Sequence, residues 1–211
     1  MNTDAAFWNK LAEKYSRQPL TNPDAFERKI EVTKSRMRPD HVVLDIGCGT
    51  GSLALRLAPS AAHVHGLDLS SDMLRIAEGK ARAQAVPNVT FHVGPFDESF
   101  TTFANESLDG ICAYSILHLV EDRVAALKRI HHLLKPGGFF VSSTVCLAES
   151  RVPYGALITM MRWIGKAPRV VSLFTKRTLE DEIRAAGFVD LIQPDVGAAA
   201  DLAFVVATKA G

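Results

Sequence analysis

The residues best suited to chemistry are an acid and three glycines at alternate positions, Asp45, Gly47, Gly49 and Gly51. The β-branched and aliphatic run before the acid is typical of a buried strand, and a helical pattern follows the glycines. Glycine lets the backbone approach a ligand closely, so strand, turn and helix in this order predict a nucleotide-type binding turn. A dinucleotide fingerprint needs one more glycine, at the position that Ser52 occupies, which disfavours a dehydrogenase.

A second acid, Asp68, ends the next predicted strand, 23 residues after Asp45. In nucleotide-binding α/β folds, an acidic residue at this interval contacts the ribose of the ligand. Its carboxylate can accept hydrogen bonds from both ribose hydroxyls. The alternative is that Asp68 helps to cap the following helix. Because Ser70 and Ser71 can provide that cap, the sequence favours the ribose role.

The turn of residues 45–51 resembles the first motif of the class I S-adenosylmethionine-dependent methyltransferases. Residues 108–144 resemble the same family, because a strand, a loop and a helix precede the Leu-Lys-Pro-Gly-Gly turn that ends at residue 138. The resemblance covers about residues 42–208 and is closest to the ubiquinone/menaquinone-biosynthesis type and its small-molecule relatives. It implies in-line transfer of a methyl group from S-adenosyl-L-methionine to a small-molecule acceptor, with S-adenosyl-L-homocysteine as product.

The resemblance also implies which residues bind the donor. They are Asp45, Gly47, Cys48, Gly49, Thr50, Gly51, Asp68, Leu69, Met73, Pro95, Phe96, Asp97, Ala113 and Tyr114. Pro95 departs from the family pattern, which usually places an acid there to accept a hydrogen bond from the adenine amino group. Proline supplies neither that acceptor nor an N–H. Two substitutes remain open, namely Phe96 flanking the adenine and Asp97 reaching its amino group from a shifted turn.

Proton transfer is needed only if the acceptor is a poor nucleophile. His118, just past the fourth predicted strand, is the first candidate base, followed by Tyr114 and Tyr15. The alternative for His118 is a helix-flanking residue with no chemical role, and Tyr15 either covers the ligand pocket or packs in the core. His63 and His65 share one face of a strand but have no third ligand nearby, so no metal site is predicted.

Alternation of strands and helices predicts a Rossmann-like, doubly wound, mostly parallel α/β sheet of about seven strands. Two final strands without a crossover helix predict an antiparallel hairpin at its C-terminal edge. We expect one domain over residues 1–211, with a helical cap at 1–39 and an insertion at 145–177 over the crevice. Ligands then bind beyond the carboxyl ends of the strands.

The predicted insertion combines apolar residues, including Trp163, with several cations, and Pro153 and Gly165 interrupt it. This composition indicates an apolar acceptor with an anionic group, or transient contact with a membrane surface. The alternative is a short helix on the sheet edge with solvated cations.

The bulk composition limits the partners. Net charge is +1, with 47% hydrophobic and 22% charged residues, so no nucleic-acid partner and no stable membrane insertion are expected. The three cysteines lack C-x-x-C spacing, which favours reduced thiols in a cytoplasmic protein. We expect a monomer or a homodimer. Two other functions stay open: a non-catalytic module that binds a nucleoside or S-adenosylmethionine, and an NAD-type oxidoreductase.

Overall fold

A computed structural model describes residues 3–149, 154–163 and 167–211. Its strands are β1 (Val42–Ile46), β2 (His63–Asp68), β3 (Val89–Val93), β4 (Leu108–Tyr114), β5 (Leu134–Val145), β6 (Phe188–Ile192) and β7 (Leu202–Lys209). Its helices are α1 (Thr3–Arg17), α2 (Pro23–Lys34), α3 (Ser52–Leu57), α4 (Ser71–Ala83), α5 (Arg123–Leu133), α6 (Tyr154–Trp163) and α7 (Lys176–Ala185). Short 3₁₀ turns occupy Ala58–Ser60, Leu117–Leu119 and Leu147–Glu149.

The strands form one seven-stranded sheet in the order β3-β2-β1-β4-β5-β7-β6. Strands β1 to β5 run parallel, β7 is antiparallel to β5, and β6 is antiparallel to β7. The predicted doubly wound sheet and its antiparallel edge are therefore confirmed. Strand order reverses between β1 and β4, and a sheet of this kind opens a crevice at that point, beyond the carboxyl ends of the strands.

Alternate residues of the central strands supply two apolar cores, one on each face of the sheet. The core between the sheet and helices α5 and α7 contains Leu44, Ile111, Phe140, Leu127 and Ile183, all fully buried. The core between the sheet and helices α2 and α3 contains Val43, Cys112, Val141, Ile30 and Leu57. Near-continuous burial of β1 and β4 follows from helices on both faces and explains their apolar sequence.

One element differs from the sequence prediction. Helix α2 begins as expected for the N-terminal cap, with Asn22 Oδ1 accepting the Ala25 N–H at 3.0 Å, and ends at Lys34. Residues 134–138 belong to β5 instead of forming a separate turn. The pairing of β4 with β5 shifts register there, and Gly137 has a φ of +76°. Glycine therefore accommodates an irregularity inside the strand.

The N-terminal helices lie against the elements that surround the crevice. Helix α1 packs on α4, and α2 packs on α3. Among the described residues, no helix is long and apolar enough to cross a membrane.

Candidate ligand-binding crevice

The turn after β1 requires glycine at three positions. Gly47, Gly49 and Gly51 have φ values of +68°, +52° and +76°, a region that L side chains rarely adopt. A Cβ atom on Gly47 would lie 2.7 Å from Ile116 Cγ1, and one on Gly51 would lie 2.9 Å from Ala77 Cβ. Backbone rather than side chains therefore forms this wall of the crevice.

Asp45 is a buried carboxyl at the start of the turn. It accepts one backbone N–H, from Ala54, and its Oδ2 has no partner among the described residues. Burial, followed by the charge of Asp68, raises the pKa of Asp45 to about 8. Such an unsatisfied buried oxygen is costly unless a ligand partners it.

Asp68, at the end of β2, fastens the turn to the sheet. Its Oδ2 accepts the Gly49 N–H and its Oδ1 accepts the Ser70 N–H, both at 2.8 Å. Burial raises the pKa of Asp68, whereas these backbone N–H groups lower it. An ionised carboxylate has about four acceptor positions, so capacity for ligand hydroxyls remains. The predicted helix cap is supplied by Ser70, whose Oγ accepts the Met73 N–H at 3.1 Å.

The segment after β3 is placed beside Asp68, because the Gly94 N–H donates to the Asp68 carbonyl at 3.0 Å. Pro95 is exposed, while Phe96 is half-buried against the core and its ring centroid lies 6.2 Å from that of Phe100. Asp97 Oδ1 accepts the N–H of Ser99 at 2.8 Å, which folds Asp97 into a local turn. Contact of these residues with a base stays a prediction.

Helix α1 covers the glycine turn. Tyr15 Cε1 lies 3.8 Å from the position that a Cβ on Gly49 would take, and Tyr15 is half-exposed. Burial of its hydroxyl and the charges of Asp68 and Asp45 raise the pKa of Tyr15. Its hydroxyl therefore stays protonated at neutral pH. This protonation state is more consistent with Tyr15 covering the turn than with Tyr15 acting as the predicted base.

Tyr114 does not fit its predicted role as a base. Its hydroxyl lies 2.8 Å from Thr33 Oγ1 and 3.2 Å from the Lys29 carbonyl, so α2 holds it. Burial raises the pKa of Tyr114 well above its usual value. Alternation along β4 turns Tyr114 toward the α2 face, whereas Ala113 faces the opposite core and is fully buried.

His118 lies in the 3₁₀ turn after β4. Its Nδ1 is buried and has no partner in the part of the chain that the structure describes, and burial lowers the pKa of His118 to about 4. The ring is therefore neutral at pH 7 and can accept a proton or a hydrogen bond. Ser115, just before it, has a φ of +56°, and such strain is most often found where a site needs it.

The remaining predicted binding residues lie around the turn with their side chains inward. Cys48 and Met73 are buried, and Leu69 is half-buried. The Thr50 side chain is also buried, and its Oγ1 accepts a hydrogen bond from Lys80 Nζ at 2.8 Å. Cys48 and Thr50 can therefore meet a ligand only through their backbone.

Sequence reasoning missed three supports of the crevice. Ile116 packs over Gly47, Lys80 holds Thr50, and Asn9 Oδ1 accepts the Ser70 hydroxyl at 2.6 Å. Lys80 follows Met73 and Ala77 at helical spacing on α4, the one sequence signal available for it. The partners of Asn9 are 61 and 63 residues away in the chain and leave no local signal.

The predicted insertion borders the crevice on the β4 side. The Ser172 N–H donates to the His118 carbonyl at 2.8 Å, and the Arg169 N–H donates to Asp4 Oδ1 at 2.8 Å. These bonds connect the segment both to the candidate base and to the first turn of α1. Residues 150–153 and 164–166, which include the predicted breaks Pro153 and Gly165, lie outside the described residues.

The histidines of β2 and β3 bond to each other rather than converging on a metal position. His65 Nδ1 lies 3.0 Å from His92 Nε2, and His63 Nε2 lies 2.9 Å from Thr90 Oγ1. Within the described ranges, no group of three or more His, Cys, Asp or Glu side chains is arranged to hold a metal ion.

Comparison with known proteins gives consistent matches. The family model described as a methyltransferase domain matches residues 38–175. A demethylmenaquinone methyltransferase of Geobacillus stearothermophilus is 33% identical over 197 residues, covering 79% of this chain and 81% of that protein. A ubiquinone/menaquinone biosynthesis C-methyltransferase of Geotalea daltonii is 32% identical over 115 residues, covering 53% of this chain and 48% of that protein. The chain thus spans about half the length of some curated relatives that it matches.

A solved structure shares the fold. It is phosphoethanolamine N-methyltransferase 2 of Haemonchus contortus, in complex with phosphomonomethylethanolamine and S-adenosylhomocysteine. The TM-score is 0.72 at 18% identity, with 88% of this chain and 53% of that chain covered.

Proposed function

The chain belongs to the methyltransferase-domain family, and we propose that it transfers a methyl group from S-adenosyl-L-methionine to a small-molecule acceptor. The observation that carries the proposal is the pair of neighbouring carboxyls, the buried Asp45 and the half-buried Asp68, beside a turn whose three glycines leave a wall of backbone. The donor carries a sulfonium and an ammonium group, both of which two nearby carboxylates attract. The pyrophosphate of NAD would instead place further negative charge beside these acids.

The residues present fit this donor. Asp68 has acceptor capacity left for the two ribose hydroxyls, and Asp45 Oδ2, which has no partner among the described residues, can accept from the ammonium group. The half-buried side chains of Leu69 and Phe96 offer apolar flanks for the adenine. A cationic donor favours the ionised form of Asp45, which lowers the pKa of that carboxyl on binding.

The main contribution of the protein to the reaction is to position the donor and the acceptor. When bound, the donor supplies a methyl group already activated by the sulfonium, so holding the acceptor in line provides most of the acceleration. The neutral His118 ring can take the proton of a hydroxyl or amine acceptor, and its unsatisfied Nδ1 gains a partner in doing so. Tyr15 excludes water from the turn by covering it.

The acceptor that best fits the crevice is apolar and carries an anionic group. Leu157 and Met161 of α6 are half-buried, Phe174 is buried, and Ser172 contacts His118 through the backbone. Residues 145–177 contain six Lys or Arg and one Glu, a charge that favours an anionic acceptor and opposes an ammonium one. Among the relatives, demethylmenaquinone methyltransferases are named for an apolar acceptor.

Calorimetry and an acceptor screen test the proposal. We expect S-adenosylmethionine and S-adenosylhomocysteine to bind the full chain, and NAD not to bind. Radiolabelled donor incubated with pools of apolar anionic small molecules should yield a labelled product. Binding of NAD without the methyl donor would identify an oxidoreductase instead. Donor binding with no transfer to any pool would favour the non-catalytic binding module.

A further inference from the structure

The outer face of α6 presents large apolar side chains to solvent. Trp163 is 91% exposed and Met160 is 57% exposed, whereas Leu157, Ile158 and Met161 on the other side of the helix are half-buried. Helical periodicity separates these two sets, so the exposed residues cannot reach the protein interior without rotation of the helix. An exposed tryptophan beside an exposed methionine forms an apolar patch of the kind that marks interaction sites.

Residues 168–173 extend this face, because they run alongside α6. Arg162 Nε donates to the Pro168 carbonyl at 3.2 Å near the end of the helix. Leu173 Cδ1 lies 3.4 Å from the position that a Cβ on Gly155 would take, near its start. Leu173 is 47% exposed. We call α6 together with residues 168–173 the α6 surface.

The charge of this region identifies the partner class. Residues 145–177 have a net charge of +5 by sequence, so the rest of the chain carries −4 against +1 for the whole. On the α6 surface, Arg162 and Arg169 are exposed. The Arg162 side chain donates to the Pro168 carbonyl, and Arg169 donates to Asp4 Oδ1 through its backbone N–H. Cations beside tryptophan and methionine fit an anionic lipid bilayer, where aromatic and basic side chains lie at the headgroup level.

We propose that the α6 surface docks the protein on anionic lipid membranes, with Trp163, Met160 and Leu173 entering the headgroup region and Arg162 and Arg169 contacting lipid phosphates. Helix α6 spans ten residues, too few to cross a bilayer, so the interaction is peripheral. A nucleic acid is the alternative anionic partner, but binding to its phosphates would not bury the exposed Met160 and Leu173. The inference does not depend on methyl transfer, because docking needs neither donor nor acceptor.

Vesicle flotation of the full chain tests the proposal. The protein should float with vesicles of phosphatidylcholine and phosphatidylglycerol and stay behind with pure phosphatidylcholine vesicles. Trp163→Ala should weaken binding about tenfold through loss of apolar burial. Arg162→Gln/Arg169→Gln should weaken it about 25-fold, at roughly fivefold per cation. Added salt should weaken it further.

Matched controls separate this surface from charge and apolar area in general. Arg36 and Lys128 are exposed and lie outside residues 145–177, and Arg36→Gln/Lys128→Gln removes the same charge. Ile192, on β6, is 43% exposed, and Ile192→Ala is the apolar control. Both controls should bind vesicles like the unmodified chain, and circular dichroism melts verify that every variant folds.

Fluorescence locates the contact. The chain has two tryptophans, so a Trp8→Phe background leaves only Trp163. Its emission should shift to the blue on anionic vesicles and be quenched by brominated lipid. Absence of flotation with anionic vesicles, equal loss in the control variants, or an unshifted Trp163 would overturn the proposal. If the protein binds an RNA oligomer more tightly than anionic vesicles, and the same variants weaken that binding, the partner of the α6 surface is a nucleic acid and not a bilayer.

Discussion

The two sides of the crevice are built by different means. On the donor side, the turn of residues 45–51 is held by backbone geometry and by Asp68, whose two oxygens bind N–H groups at 2.8 Å. On the acceptor side, α6 and residues 167–175 supply half-buried apolar side chains and contact His118 through one backbone hydrogen bond. In the proposed function, donor recognition therefore rests on a short segment, whereas acceptor recognition depends on packing that substitutions can change without disturbing the turn.

Gly49→Val should have the largest effect on the donor side. A β-branched residue is strongly disfavoured at a φ of +52°, so the turn must distort and we expect donor affinity to fall by more than about 100-fold. Calorimetry measures this loss. Gly79→Ala is the matched control, because Gly79 lies on α4 with nothing within 4 Å of its Cβ position. Normal donor binding by Gly49→Val would show that the turn is not part of the donor site.

His118→Gln should affect the acceptor side alone. Loss of a proton acceptor lowers kcat by about 100-fold, while the affinity for the donor stays unchanged. Because the pKa of His118 is lowered to about 4, kcat of the unmodified enzyme should show no loss attributable to His118 until the pH falls below about 5. A titration of His118 near pH 6.5, observed by NMR in the free protein, would contradict the buried, neutral ring.

Asp45→Asn should trade affinity for stability. The raised pKa of about 8 means that the native state binds the Asp45 proton more tightly than the unfolded state. The free energy of unfolding therefore falls as pH rises from about 4 to about 8. Asparagine removes that dependence, so Asp45→Asn should raise the free energy of unfolding by at least about 1 kcal/mol at pH 8. The same variant should bind the donor about tenfold more weakly. Thermal melts at pH 5 and pH 8 measure the first effect, and equal melting shifts at both values would contradict it.

Tyr15 should have the smallest effect. Tyr15→Phe keeps the ring over Gly49, so donor affinity and kcat should stay within about twofold of the unmodified enzyme. Tyr15→Ala uncovers the turn and should weaken donor binding by about threefold to tenfold, through loss of roughly half of an aromatic side chain's burial. A large loss of kcat in Tyr15→Phe would restore the tyrosine as a base.

Local patterns predicted the glycine turn, because its residues are adjacent in the chain. The strand, the acid and the three glycines over residues 42–51 need no long-range information, and the doubly wound sheet followed from the alternation of strands and helices. The hydrogen bonds of Tyr114 could not be predicted, because they depend on which face of β4 meets α2. Its partner Thr33 lies 81 residues away.

The acceptor side escaped prediction for the same reason. Sequence composition indicated a basic apolar segment, but not that Ser172 and Arg169 would join it to His118 and to α1. These contacts form between segments far apart in the chain and involve backbone N–H groups, which every residue type except proline supplies. Residue identity therefore carries no signal for them.

The central claim is that the acids beside the glycine turn select the methyl donor independently of the acceptor side. Calorimetry with S-adenosylmethionine on Asp68→Ala and on His118→Gln tests it most directly. Asp68→Ala removes the acceptor of the Gly49 and Ser70 N–H groups and should lose about 100-fold in affinity, whereas His118→Gln should bind the donor like the unmodified chain. Unchanged donor affinity in Asp68→Ala, or an equal loss in both variants, would contradict the account.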